Sequence, residues 1–141
     1  MRYWDSSAIV PLVVDEKSTG QLRELLDRDP LMVTWWGTVV ECASALASRH
    51  RRGQLAMDDH DTAFRLLFQA SDSWRVIEPR EGLRFEAMML LRLHRLRTGD
   101  ALQLAAALDW ADRRPTGLSF VCLDERLRDA ALAQGFRVLP A

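Results

Sequence analysis

The sequence predicts an α/β protein: a central, mostly parallel sheet of four to five strands with helices on both faces, forming a single domain over residues 1–141. Three observations lead there. Short apolar runs of strand length alternate with longer stretches whose apolar residues recur at helical spacing. Strands separated by helices cannot pair as hairpins, so the economical solution is a parallel sheet covered on both faces. The chain is 48% hydrophobic, and no Pro/Gly/Ser-rich linker divides it. A domain of this length buries roughly 70% of the surface its unfolded chain exposes.

In order, residues 2–4 read as a strand ending at Asp5, and 6–13 as a short helix, irregular near Pro11. Leu22, Leu25 and Leu26 give helical spacing to 18–28. A second strand at 31–34 leads into a helix over 36–52 that stops at Gly53. The next helix spans 57–70 with Phe64, Leu67 and Phe68 inward, and a third strand at 75–78 is terminated by Pro79. Two helices, 81–96 and 100–113, break at Thr98-Gly99. Strand 119–123, helix 125–134 and strand 137–139 complete the pattern.

Composition excludes little. The net charge is -1, from 19 basic and 20 acidic side chains, so no overall basic excess points to nucleic acid. A basic rim around an acidic centre would average to the same value. Cys42 and Cys122 lack any zinc-ligand spacing and read as reduced core thiols of a cytoplasmic protein. Residues 1–7 have neither the basic nor the long apolar segment of a signal peptide. No uncharged apolar stretch of about 18 residues exists to span a membrane.

Four acids carry the chemistry. Asp5 and Asp124 each follow a strand and precede a helix, which places both at the carboxyl edge of a parallel sheet, where ligands gather. Each also suits a helix N-cap. Asp100 opens a helix whose next eight residues hold one polar side chain, Gln103; that helix must be buried, and its dipole favours an ionised carboxylate at its start. Here too capping, shared with Thr98, is an alternative. Glu41 is odd in its own right. It projects almost opposite Val39, Ala43 and Leu46, among the small residues Gly37, Ser44, Ala45 and Ser48, as if lining a shallow groove. At ~5 Å and an effective dielectric of ~20, each pair of ionised carboxylates repels by roughly 3 kcal/mol. Hard divalent cations relieve such repulsion, and an oxygen-only donor set is what Mg²⁺ or Mn²⁺ prefers. Phosphoryl transfer is the chemistry that commonly uses such sites.

Taken in chain order, the segments Tyr3-Trp4-Asp5-Ser6-Ser7-Ala8, Val40-Glu41-Cys42-Ala43-Ser44, Thr98-Gly99-Asp100-Ala101-Leu102 and Val121-Cys122-Leu123-Asp124-Glu125-Arg126 resemble a PIN domain, specifically a VapC-type toxin ribonuclease. Four weak matches in the right order over essentially the whole chain make the resemblance fairly specific. It implies metal binding by Asp5, Glu41, Asp100 and Asp124, with Ser6 orienting the water at the metal. It also implies Mg²⁺- or Mn²⁺-dependent RNA hydrolysis, a homodimer, and inhibition by a small VapB-like antitoxin whose tail lies in the active-site groove. Where that family often has Lys after the first helix's apolar residues, this chain has Pro11-Leu12-Val13, a departure that bears on substrate contacts there and not on metal binding.

Among the arginines, Arg97 beside Asp100 and Arg126 beside Asp124 have the best claim to substrate phosphate; Arg49, Arg51 and Arg52 read as a helix C-terminus favoured by the dipole. His50, His60 and His94 share no ligand spacing and read as surface or structural. Trp35, Trp36, Trp74 and Trp110 adjoin core elements, so core or dimer packing is favoured over base stacking. Competing functions are a housekeeping nuclease of the same fold without an antitoxin and a catalytically silent regulatory domain. A receiver is disfavoured because the third strand ends Glu78-Pro79 without an Asp. A haloacid-dehalogenase-like phosphatase is disfavoured because Ser7 stands where its second Asp belongs.

Overall fold

A computed structural model describes all 141 residues. The strands are β1 (Arg2–Trp4), β2 (Met32–Trp35), β3 (Arg75–Ile77), β4 (Ser119–Val121) and β5 (Arg137–Leu139). The helices are α1 (Ser6–Val13), α2 (Thr19–Arg28), α3 (Thr38–Arg51), α4 (Met57–Ser71), α5 (Glu81–Leu93), α6 (Thr98–Trp110) and α7 (Glu125–Ala133). The five strands form one sheet in the order β3-β2-β1-β4-β5, parallel throughout.

Because successive strand side chains point to opposite faces, each strand feeds two cores. Tyr3, Val33 and Phe120 point to the face covered by α5, α6 and α7, whereas Trp4, Met32 and Val121 point to the face covered by α1 to α4. Tyr3 stacks on Phe120 at 5.0 Å between ring centroids. Helix α6 is nearly all core: Ala101 and then every residue from Gln103 to Leu108 is buried. Its alanines let it lie close against the sheet.

The order of the strands also fixes where a ligand can sit. The chain builds outward from β1 through β2 to β3, then returns to place β4 on the other side of β1. Helices leaving β1 and β4 therefore diverge to opposite faces of the sheet, opening a crevice beyond the carboxyl ends of those two strands. Asp5 follows β1 and Asp124 lies three residues beyond β4.

Several elements differ from the sequence reading. Helix α1 runs on through Pro11, whose free carbonyl accepts the Thr19 hydroxyl at 2.6 Å. Helix α5 stops at Leu93 and α6 begins two residues before Asp100, ending at Trp110, because Asp112 and Arg113 take left-handed φ values of 48° and 56°. In α4 only Leu67 of the expected inward trio is buried; Phe64 and Phe68 are 49% and 65% exposed. The helix approaches through Ala63 and Leu67, one position off the aromatic stripe, since a small residue permits the closer contact. Trp36 is likewise 56% exposed, while Trp4, Trp35 and Trp74 are buried as core residues. His50 and His60 stack at 5.1 Å and His50 Nδ1 lies 2.8 Å from the Leu55 carbonyl, a structural role.

The turn from β2 into α3 is sterically tight: a Cβ built on Gly37 would fall 2.6 Å from the indole nitrogen of buried Trp35. Gly37→Ala should therefore force the ring to move and cost about 1–3 kcal/mol, the usual range for overpacking, read as a lowered urea midpoint at unchanged slope.

Candidate active site

The structure gathers all seven residues named from the sequence around the crevice at the carboxyl ends of β1 and β4. Asp5 anchors them. Its backbone N–H continues the ladder by donating to the Val121 carbonyl at 2.9 Å, and the side chain is only 3% exposed. A carboxylate so buried needs partners. Oδ2 receives the Ser7 N–H at 3.0 Å, the Ser7 hydroxyl, and a weak contact from the Cys122 thiol at 3.5 Å. Ser7 Oγ in turn accepts the Leu123 N–H at 2.9 Å, so one hydroxyl ties the loop after β1 to the loop after β4. Oδ1 has only the Ser6 hydroxyl, at 3.5 Å.

Ser6 is the bridge to the second acid, its Oγ lying 3.3 Å from Glu41 Oε2. Glu41 does not sit opposite the buried face of α3. That face runs through Thr38, Cys42 and Leu46, and Glu41 lies on its border, turned inward, while Val40 is 64% exposed. Apolarity pointed to Val39 and Ala43 as the inward positions; Thr38 takes that place because its hydroxyl accepts the Trp35 N–H at 3.1 Å, capping the end of β2. The other Glu41 oxygen, Oε1, accepts from Gln103 Nε2 at 3.3 Å.

Asp100 and Asp124 form the outer half. Asp100 is the third residue of α6, and its Oδ2 reaches back to the Arg97 N–H at 3.3 Å; Arg97, not Thr98, is the capping position. Asp124 caps α7, with Oδ1 accepting the Leu127 N–H at 2.9 Å. Arg97, Asp100, Asp124 and Arg126 line one open cavity. Each acid thus commits one oxygen to the protein. For Asp100 and Asp124 the second oxygen has no protein partner; for Asp5 and Glu41 it meets only the Ser6 hydroxyl.

The electrostatics register this crowding. Burial raises the Asp5 carboxyl above its ordinary range, opposed by the Ser7 and Cys122 hydrogen bonds and reinforced by the Asp100 charge. Burial and then the Asp5 charge push Glu41 up to about 7, against the pull of Gln103 and Ser6. Asp100 is raised by its own desolvation and by Asp124, while the Arg97 N–H and the charges of Arg97 and Arg126 lower it. The acids are linked through charge and not closed into a ready-made cage: no trio of His, Cys, Asp or Glu converges to metal-ligand spacing. Burial and the Asp5 charge drive both thiols, Cys42 and Cys122, far above the usual range, and both are free; Cys42 packs as a small apolar group, while Cys122 also donates weakly to Asp5.

Gln103, Ser7 and Thr38 escaped identification as site residues. The signal for Gln103 was present: one amide in an otherwise apolar helix run must find partners.

A parallel α/β sheet with acids at its strand switch point serves several chemistries, and the relatives of the chain decide among them. The chain belongs to the PIN domain family, whose model matches residues 2–133. It is 32% identical over 148 aligned positions to Ribonuclease VapC45 and to Ribonuclease VapC49 of two Mycobacterium tuberculosis strains, covering 99% of this chain and 94% of each relative. Among solved structures it resembles a Pyrobaculum aerophilum protein (TM-score 0.68, 21% identity, 99% of this chain and 90% of that one). It also resembles a toxin–antitoxin complex from Klebsiella pneumoniae (TM-score 0.63, 12% identity, 99% and 97%); at these identities the likeness is one of fold. Divalent-metal dependence is general among such nucleases.

Because Glu41 binds its proton more tightly in the folded protein than in the unfolded chain, metal-free stability should fall as pH rises from about 4.5 to about 7 and level off above. One pKa unit is worth about 1.4 kcal/mol, discounted here because the site is partly open. Glu41→Gln is expected to stabilise the metal-free protein by about 1–2 kcal/mol at pH 8 and to leave it unchanged near pH 4, measured by urea unfolding in chelator.

Proposed function

We propose that the chain is the toxin endoribonuclease of a toxin–antitoxin pair, acting as one domain over residues 1–141, with Asp5, Glu41, Asp100 and Asp124 holding Mg²⁺ or Mn²⁺. The observation that carries this reading is the division of labour within each carboxylate: one oxygen fixes the side chain to a helix start or to Gln103, and the other either has no protein partner, in Asp100 and Asp124, or meets only the Ser6 hydroxyl, in Asp5 and Glu41. The cap-or-ligand alternatives of the sequence are therefore compatible, because a carboxylate can do both. The donor set fits the ion: all-oxygen, anionic, and with three of four carboxyls resisting ionisation in its absence, a strain a hard dication relieves.

When bound, the ion supplies Lewis-acid stabilisation of phosphate charge and lowers the pKa of water. The chain's own groups do the positioning. Ser6, between Asp5 and Glu41, orients the attacking water through its hydroxyl. Arg97 and Arg126, which line the cavity of Asp100 and Asp124, hold the flanking RNA phosphates. We seat the tail of a VapB-like antitoxin in the active-site groove, with the apolar groove between α3 and α4, lined by Val40, Ala43, Ala47 and Phe64, receiving the segment next to it. The exposed stripe Phe85, Met88 and Met89 on α5 is the face we assign to a homodimer. No helix is long and apolar enough to cross a membrane, and two free buried thiols suit a cytoplasmic setting.

Purified protein should cleave single-stranded RNA with added Mg²⁺ or Mn²⁺ and lose cleavage in EDTA. Asp5→Asn and Asp100→Asn should each lower the rate by at least about a hundredfold, the upper end of what even indirect loss of metal support costs, with circular dichroism unchanged. Full activity in EDTA, or in both variants, contradicts the metal mechanism; metal-dependent cleavage with no antitoxin encoded alongside favours the housekeeping nuclease.

A further inference from the structure

Gln103 is fully buried yet carries four hydrogen-bonding sites on its amide, and all of them lead toward the acidic crevice or its supports. Its Oε1 accepts the Tyr3 hydroxyl at 2.7 Å and lies 3.2 Å from Thr38 Oγ1; its Nε2 lies 3.0 Å from Thr38 Oγ1 and donates to Glu41 Oε1 at 3.3 Å. Tyr3 is itself 0% exposed and stacked on Phe120, and Thr38 accepts the Trp35 N–H. The amide therefore stands on β1, the end of β2 and α3 at once, while its own backbone belongs to α6, the helix that carries Asp100.

Its orientation is determined by chemistry as well as packing. Turned over, the amide would present its carbonyl oxygen to the ionised carboxylate that a cation requires, acceptor against acceptor, so only one orientation serves Glu41 as a ligand. Glu41 needs such a tether. Its neighbours Asp5 and Asp100 are acids whose charges oppose its own, and Gly99 of α6 lies at ordinary contact distance, its absent Cβ 3.6 Å from Glu41 Oε2.

We propose that Gln103 is a positioning residue for the metal site: by holding Glu41 Oε1 it turns Oε2 toward Ser6 and the crevice, and it couples that carboxylate to the helix bearing Asp100. The inference rests on Glu41 being a metal ligand. Gln103 touches neither substrate nor ion and acts through Glu41.

The test is a double-mutant cycle read by Mn²⁺ binding, using calorimetry on the full-length protein without RNA. Gln103→Leu keeps the volume and removes the tether; it should weaken Mn²⁺ binding by about tenfold or more, as loss of a ligand's support does elsewhere. Glu41→Gln should weaken binding at least as much, and adding Gln103→Leu to it should change little further, because the amide's contribution passes through Glu41. Tyr3→Phe, which removes the Tyr3 hydroxyl hydrogen bond and leaves the Glu41 contact, should weaken binding less and in the same direction, and it serves if Gln103→Leu does not fold. RNA cleavage should lose kcat with KM for RNA unchanged. Wild-type Mn²⁺ affinity in folded Gln103→Leu, fully additive losses in the double variant, or, where Gln103→Leu does not fold, wild-type affinity in Tyr3→Phe overturns the positioning role while leaving the nuclease reading intact. A wild-type chain that binds no Mn²⁺ overturns both.

Discussion

Burial of the Asp5 carboxylate at the end of the central strand is the constraint on which the remaining architecture depends. A nearly inaccessible anion is tolerable only with hydrogen bonds aimed at it, and those come from the first turn of α1 and from Cys122 beyond β4. The same serine that satisfies Asp5 receives the Leu123 N–H. The loop that delivers Asp124 is thus held by the partner of Asp5. Strand order does the rest: with β2 and β4 on either side of β1, the α3 and α7 starts converge on that point, bringing Glu41 and Asp124 with them.

The site is consequently expensive in the absence of a cation. Three carboxyls are held away from easy ionisation, and the surrounding core must offset that. It does so through α6 and the two apolar layers, whose buried residues flank the sheet on both faces. Placing destabilising charge at a functional crevice and stabilising apolar contact around it is the usual compromise between activity and stability.

Much of this was legible in the sequence. Alternating strand and helix periods gave the parallel sheet, and acids directly after apolar runs gave Asp5 and Asp124 their edge. Helix faces were less legible. For Glu41 the apolar neighbours Val39 and Ala43 mark a plausible inward stripe, yet the true one passes through Thr38 and Cys42: the hydroxyl is recruited by a strand end that periodicity does not see. For Phe64 and Phe68, size argued for burial, but the α3–α4 contact closes on Ala63 and Leu67. Gln103 was visible as an anomaly without a role, since its partners Tyr3, Thr38 and Glu41 are 100, 65 and 62 residues away. Long-range polar pairing is what a pattern of periods cannot convey.

Anomalous diffraction from crystals soaked in Mn²⁺ shows whether four carboxylates, each fixed by one oxygen, present the other to a shared divalent cation. A peak is expected in the crevice within about 2–2.5 Å of oxygens from Asp5 and at least one of Glu41, Asp100 and Asp124, with the hydrogen bonds from Ser7, Gln103 and Leu127 kept. A well-occupied Mn²⁺ elsewhere on the protein, with this crevice empty at saturating metal, would contradict that arrangement.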